Sequence, residues 1–284
     1  MKKSFERAQR RREEGHGYKH DLGQNFLYDD ALLEELVQST GVTKADSVLE
    51  IGPGSGMLTK HLCPHAGKVL AVEVDHDIIP FLKVNTAAFS NLEILEGDIR
   101  KQNLRELCAP LGENFLVIAN IPYNITTPIF EALWESGLSI RQISVMIQKE
   151  VAQRLCAAPG TGEYGAFSVL VQWYAEPKLL FDVPPHCFVP QPKVTSAVVR
   201  MDRRAAPPAS VDDEKLFFRT VRAAFAQRRK TLSNALRSGF SELDRAAIES
   251  AMEETGLPPA VRGETLSIAQ FAALSNALLR KFDK

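Results

Sequence analysis

The stretch Glu50-Ile51-Gly52-Pro53-Gly54-Ser55-Gly56 decides the reading of this 284-residue chain. Its three glycines, at alternate positions, follow the short β-rich run Val48–Ile51 and precede a helical pattern. Without side chains the backbone can turn tightly there and approach a ligand closely. The spacing is G-x-G-x-G rather than the G-x-G-x-x-G of dinucleotide enzymes, and nothing nearby resembles a P-loop lysine. The expectation is a nucleotide-like cofactor lying over a strand-to-helix junction.

Outward from this turn, β-rich runs recur at Val69–Val74, Leu92–Leu95, Phe115–Ile118 and Ile143–Ile147, with helical patterns between them. A helix is expected from about Asp30 to Ser39, ending at Gly41. Strands alternating with helices predict an α/β fold with a parallel sheet covered on both faces. Near-continuous apolar strands such as Phe115-Leu116-Val117-Ile118-Ala119 suit a sheet buried on both sides. Two later runs, around Lys178–Val183 and Ser196–Met201, are expected to close the sheet as an antiparallel pair. After the soft break Ala205-Ala206-Pro207-Pro208-Ala209-Ser210 every pattern is helical. The predicted organisation is a basic tail over 1–20, a sheet domain over 21–204 and a small all-α domain over 211–284.

Ligands of open α/β sheets bind beyond the carboxyl ends of the strands, at the switch point of strand order. Gly52 follows the first strand of the run. Glu73 ends the second, where a carboxylate can hold two ribose hydroxyls. Asp98 ends the third, where it can accept a hydrogen bond from an adenine amine. Asn120 ends the fourth and opens Asn120-Ile121-Pro122-Tyr123, which suits holding a planar exocyclic amine. Such an amine is a poor nucleophile, so a catalyst must align it and favour its pyramidal form. The Asn120 side-chain oxygen and a carbonyl near Ile121-Pro122 can accept the amine hydrogens. Pro122 stiffens the turn and biases Ile121 towards an extended conformation. Tyr123 offers a face for stacking. The proline-rich Phe188-Val189-Pro190-Gln191-Pro192-Lys193-Val194 is expected to be a stiff loop whose Phe188 covers the second face of the base. Together these residues read as methyl transfer from S-adenosylmethionine to the amine of a base.

Net charge is −1, yet the positive charge is gathered into two segments. Residues 1–19 hold seven basic residues against three acidic ones, and 216–237 hold six with no acid. Between Leu216 and Leu236 an apolar stripe (Phe217, Val221, Ala224, Phe225, Leu232, Ala235, Leu236) predicts a helix packed on one side. Arg219, Arg222, Arg228, Arg229 and Lys230 are then candidates for contact with RNA phosphates. The four cysteines and six histidines show no metal-ligand spacing, so no metal is expected. With no signal peptide or 20-residue apolar run, the reading is a cytoplasmic protein with no membrane partner, taken as a monomer.

On these residues the chain resembles the KsgA family of ribosomal RNA adenine dimethyltransferases. The matching motifs are Leu22-Gly23-Gln24-Asn25-Phe26-Leu27, Glu50 to Gly56, Glu73, Asp98 and Asn120-Ile121-Pro122-Tyr123-Asn124. Further matches are Gln148-Lys149-Glu150-Val151, Val183-Pro184-Pro185 with Phe188, and Phe225 to Leu232. The resemblance implies a Rossmann-like class I S-adenosylmethionine-dependent methyltransferase domain followed by a small all-α domain. It implies two successive methylations on each of two adjacent adenines, in a hairpin loop near the 3′ end of 16S rRNA, with a role in small-subunit biogenesis. By position, Asn25, Leu27 and Gly52 would contact the cofactor, Glu73 its ribose and Asp98 its adenine. Asn120 would touch both the cofactor and the target amine. Three other readings compete. One is the related family that methylates large-subunit 23S rRNA and confers antibiotic resistance. Another is a mainly non-enzymatic assembly checkpoint. A third is DNA adenine N6-methylation, which usually carries Asp-Pro-Pro-Tyr in place of Asn120-Ile121-Pro122-Tyr123.

Overall fold

The computed structural model describes residues 25–122 and 126–282. The basic tail over 1–20, Leu22-Gly23-Gln24 and Tyr123 lie outside the described residues. The described chain packs as two units, one of residues 25–122, 126–152 and 176–203, the other of 153–175 with 204–282.

In the first unit the glycine turn leaves the strand β2 (Ser47–Ile51), the centre of the fold. Its parallel neighbours are β3 (Lys68–Glu73), which pairs in turn with β4 (Leu92–Glu96), and on the other side β5 (Phe115–Asn120). Beyond β5 lies parallel β6 (Ile140–Gln148), then antiparallel β9 (Ser196–Arg203), with β7 (Ala175–Val183) at the edge. The order β4-β3-β2-β5-β6-β9-β7 therefore reverses direction between β2 and β5. That reversal opens a crevice at the carboxyl ends of the strands. The expected fold class is the one observed, and each expected strand coincides with an observed one, Val69–Val74 running one residue past the end of β3. Val48, Leu49, Val69, Leu70, Leu116 and Val117 are fully buried, as strands covered on both faces require.

The helix α1 (Asp30–Thr40) starts where the Asp29 carboxylate accepts the amides of Ala31 and Leu32, and it stops at left-handed Gly41. The proline-rich loop differs from expectation. Phe188–Val189 forms a short strand, β8, antiparallel to β1 (Phe26–Leu27). Two residues before the first proline are enough for a minimal ladder.

The second unit is helical, and its boundary differs from the expected one. Residues 153–175 fall within the sheet domain expected over 21–204, but they pack with the helices that follow 204. The reason is an almost wholly apolar helix, Ala166–Tyr174, that finds its partners there. Trp173 stacks on Phe217 at 4.2 Å and meets Phe218 edge-on at 6.1 Å. Tyr164 packs edge-on against Phe225, and its hydroxyl donates to the Leu266 carbonyl at 3.0 Å. Burying one such ring stabilises the unit by roughly 2–3 kcal/mol.

Residues 216–236 also do not form one helix. A helix over Glu214–Ala226 ends, Gln227–Lys230 makes a turn, and a second helix runs over Leu232–Gly239. The apolar stripe is satisfied by folding back: a Cβ on Gly239 would come within 2.4 Å of the Ala223 side chain. The two helices cross at that contact because residue 239 has no side chain.

Candidate active site

A cavity of about 280 Å³ lies at the carboxyl ends of β2 to β5 in the first unit. Gly52, Gly54 and Gly56 all adopt positive φ (68°, 56° and 83°), which favours glycine at each. At Gly54 the demand is also steric, since a Cβ would meet the Phe26 ring at 2.7 Å. The turn is thus a cradle roofed by Phe26.

The strand-end residues converge on this cavity. Gly52, Glu73, Asp98, Asn120 and Pro122 all line it, as do Asn25 and Leu27 from the preceding segment. Glu73 is nearly fully buried, and each of its oxygens accepts one backbone N–H: Gly54 at 2.8 Å and Asp75 at 2.8 Å. Burial raises its pKa, with the charge of Asp75 adding and the backbone N–H groups of Asp75, Gly54 and Val74 opposing. Each oxygen keeps a lone pair for a hydroxyl donor. Asp98 is held by Arg100, whose Nε donates to Oδ1 at 2.9 Å and whose Nη2 donates to Oδ2 at 2.7 Å. The Arg100 backbone N–H also donates to Oδ1 at 3.0 Å. The Arg100 side chain is the leading cause that holds the Asp98 carboxyl below its ordinary range. One lone pair of Oδ2 is left for an amine.

Asn120 ends β5, and its Nδ2 donates to the Asn25 carbonyl at 3.2 Å. Residues Asn25 to Leu27 therefore form a strap. It is tied to Asn120 on one side, to β8 through the pairs Phe26↔Val189 and Leu27↔Phe188 on another, and rests on the glycine turn through Phe26. Phe188 is not placed as expected. Only 2 % exposed, it packs in the core with Leu27, Leu33 and Leu36 and does not line the cavity. Its burial goes with the ladder to Leu27.

Glu50 lines the same cavity and was not singled out from the sequence as a site residue. It sits one position before the end of β2, where the strand-end rule does not look. Its carboxyl is completely buried, and neither oxygen has a hydrogen-bond partner among the described residues. The nearby hydroxyls of Ser55 and Thr59 are likewise buried and unpartnered. Burial pushes Glu50 up to about 8, with the Thr59 hydroxyl opposing and the charge of Glu73 adding. An acid inside an otherwise apolar strand was the signal available in the sequence. Among the described residues no group of three or more His, Cys, Asp or Glu side chains is arranged to hold a metal ion.

In the second unit the basic segment divides. Arg219 lies over the Phe240 ring at 4.4 Å, donates to the Gly239 carbonyl and pairs with Glu242 at 2.8 Å. Arg228 donates to the carbonyls of Gly162 (2.7 Å) and Tyr164 (3.2 Å) and faces Glu264. Arg222, Arg229 and Lys230 are exposed and make no ion pair among the described residues. Arg237, exposed on the helix Leu232–Gly239, is a fourth cation of the same kind that was not named as a candidate.

Comparison with known proteins gives a consistent picture. The family model described as Ribosomal RNA adenine dimethylase matches residues 15–279. A Ribosomal RNA small subunit methyltransferase A of Alkaliphilus oremlandii is 43% identical over 266 residues, 93% of this chain and 93% of that one. Its counterpart from Geobacillus thermodenitrificans is 44% identical over 276 residues, covering 94% and 93%. Among solved structures, a dimethyladenosine transferase from Plasmodium falciparum superposes with TM-score 0.73 at 23% identity, covering 90% of this chain and 98% of that one. The 23S rRNA methyltransferase ErmE superposes with TM-score 0.67 at 25% identity, covering 89% and 99%.

Proposed function

The chain belongs to the ribosomal RNA adenine dimethylase family, and on that premise we propose how its cavity serves as the S-adenosylmethionine site of a small-subunit rRNA adenine N6,N6-dimethyltransferase. The observation that carries this reading is the convergence of Gly52, Glu73, Asp98 and Asn120, the ends of four adjacent strands, on one cavity. The target is the pair of adjacent adenines in the hairpin loop near the 3′ end of 16S rRNA, and the modification belongs to small-subunit biogenesis. Identity of 43–44% to the small-subunit enzymes, against 25% to the large-subunit enzyme, favours 16S over 23S rRNA.

The residues fit the cofactor. The glycine cradle admits a ligand against bare backbone. Glu73 offers one open lone pair per oxygen to two ribose hydroxyls, and Asp98 offers one to the adenine amine. Asn25 and Leu27 close the side opposite β3 and β4. When bound, S-adenosylmethionine supplies the electrophilic sulfonium methyl group. Asn120 Oδ1 accepts a hydrogen from the target amine and holds its lone pair in line, a gain of alignment rather than of basicity. Pro122 fixes the turn that aims the neighbouring carbonyl, and Tyr123 supplies a stacking face for the base. A hairpin loop presents adenines already partly unstacked, which lowers the cost of bringing one into the pocket.

Arg222, Arg229 and Lys230 meet RNA phosphates, with Arg219 and Arg228 shaping the unit that carries them. The enzyme works as a cytoplasmic monomer, without a metal and without a membrane partner. Among the described residues no helix is long and apolar enough to cross a membrane.

The test is incubation with labelled S-adenosylmethionine and small subunits from cells lacking the modification, followed by nucleoside analysis. The expected product is dimethyladenosine confined to two adjacent loop adenines. Transfer to large-subunit RNA instead would reassign the substrate and keep the cofactor site. No transfer to either would overturn the reading.

A further inference from the structure

The bond between strap and transfer site has a direction. Asn120 Nδ2 donates to the Asn25 carbonyl. A flipped amide would set Oδ1 against that carbonyl oxygen, two acceptors at 3.2 Å, so chemistry fixes which end is which. Oδ1 is then the acceptor end, and among the described residues it receives no hydrogen bond. A carboxylate could also accept from an amine, but it could not give a hydrogen to the strap. Only an amide does both.

We propose that the Asn25 carbonyl is a positioning group for methyl transfer: it orients the Asn120 amide, and this requirement selects asparagine over aspartate at residue 120. The proposal rests on reading Asn120 as the acceptor of the target amine. The carbonyl is placed by the fold rather than by Asn120. Phe26 and Leu27 are paired with β8, the Tyr28 N–H donates to the Cys187 carbonyl at 3.1 Å, and Phe26 packs over Gly54. The ionisable side chains lining the same cavity are Glu50, Glu73, Asp98 and Arg100. Arg100, the one cation among the described lining residues, is already bound by Asp98. A carboxylate at 120 would therefore face a carbonyl oxygen with no counter-charge to offset it.

The test compares wild type, Asn120→Asp and Asn120→Ala by hydrogen exchange without cofactor, read on peptides spanning residues 25–28 and 186–190. At pH 8 the Asp variant should exchange there about tenfold faster than wild type, since two acceptors then face each other with no hydrogen between them. At pH 3.5, below the ordinary aspartate value of about 3.9, its carboxyl takes up a proton, donates again, and protection should return. The Ala variant should loosen only a few-fold, roughly equally at both pH values, because it loses a bond without gaining a repulsion. Wild-type protection in the Asp variant at pH 8, or a loss that does not reverse at pH 3.5, overturns the proposal. Should the Asp variant fail to fold, the Asn120 side-chain amide of ¹⁵N-Asn-labelled wild type, assigned by its loss in Asn120→Ala, decides. One shifted, slowly exchanging Nδ2 proton is expected, and a solvent-like pair overturns it. Calorimetry of wild type with S-adenosylhomocysteine keeps the two ideas apart. No binding, with the amide still oriented, sinks the cofactor reading and not the orientation.

Discussion

The pocket of the sheet unit and the basic segment of the helical unit handle charge in opposite ways. In the pocket, Glu73 and Asp98 are placed by strand ends and half-saturated by local N–H and guanidinium donors, with lone pairs kept in reserve. Glu50 goes further and keeps a buried carboxyl with no partner at all among the described residues. In the basic segment, two of five candidate cations are consumed internally, Arg219 by Phe240 and Glu242, and Arg228 by two carbonyls and Glu264. The difference teaches that a charge's place along the chain reveals its role only where the backbone dictates its direction. A strand end does so, whereas a helix face leaves the outcome to whichever neighbour arrives.

The largest effect should come at the pocket. Asn120→Ala is expected to lower methyl transfer about 10²–10³-fold, the usual loss for one aligned polar group, while subunit binding persists. Equal loss of turnover and binding would show that pocket and RNA surface are not separable, and would break the comparison.

Next comes Glu50. Its carboxyl is protonated more readily folded than unfolded, so the fold carries no penalty from it below its ordinary 4.5. The penalty grows as pH rises and is complete above about 8. Glu50→Gln should therefore stabilise the protein at pH 8.5 by on the order of 1–3 kcal/mol, and hardly at all at pH 4.5. Urea unfolding at the two pH values measures this. A pH-independent difference would mean that the acid is paired after all. At pH 8.5, where the Glu50 carboxyl is ionised, cofactor affinity should also fall in this variant, since a cationic ligand loses a source of negative charge.

A sharper probe of the helical unit is the double change Arg229→Ala with Lys230→Ala. Subunit affinity should drop about tenfold, and the slope of log affinity against log salt should flatten by about two, one for each phosphate contact. Arg219→Ala should leave that slope alone and lower the melting temperature instead. The reverse pattern would return Arg219 to the RNA surface. The smallest effect is expected of Arg100→Ala: KM for the cofactor should rise a few-fold with kcat unchanged, because Asp98 loses its fixed orientation but keeps a backbone donor. A change in kcat would place Arg100 in the transfer step itself.

Much of the sheet was legible because a two-face-buried strand announces itself as an unbroken apolar run, and Glu73, Asp98 and Asn120 fall where such runs stop. Glu50 stayed hidden because the same rule looks past a strand's interior. The burial of Phe188 goes with a long-range ladder to Leu27, which leaves no periodic trace in either segment. The turn at Gln227–Lys230 interrupts an apolar stripe that continues on both sides of it, so the pattern alone could not show that the chain doubles back. The split of the basic residues had the same root, since Glu242 and Glu264 come from elsewhere in the chain.

The stacking of Trp173 on Phe217 has a consequence in time. As the chain is synthesised, the apolar helix Ala166–Tyr174 emerges roughly 40 residues ahead of the helix that covers it, a wait of roughly 2–8 s at ordinary elongation rates. During that interval a hydrophobic segment stands between a sheet awaiting its β7 and β9 strands and a helical unit not yet made. Nascent chains whose last residue to clear the exit tunnel lies between 175 and 213 should thus be the ones that chaperones capture, and release should follow once residue 226 has cleared it.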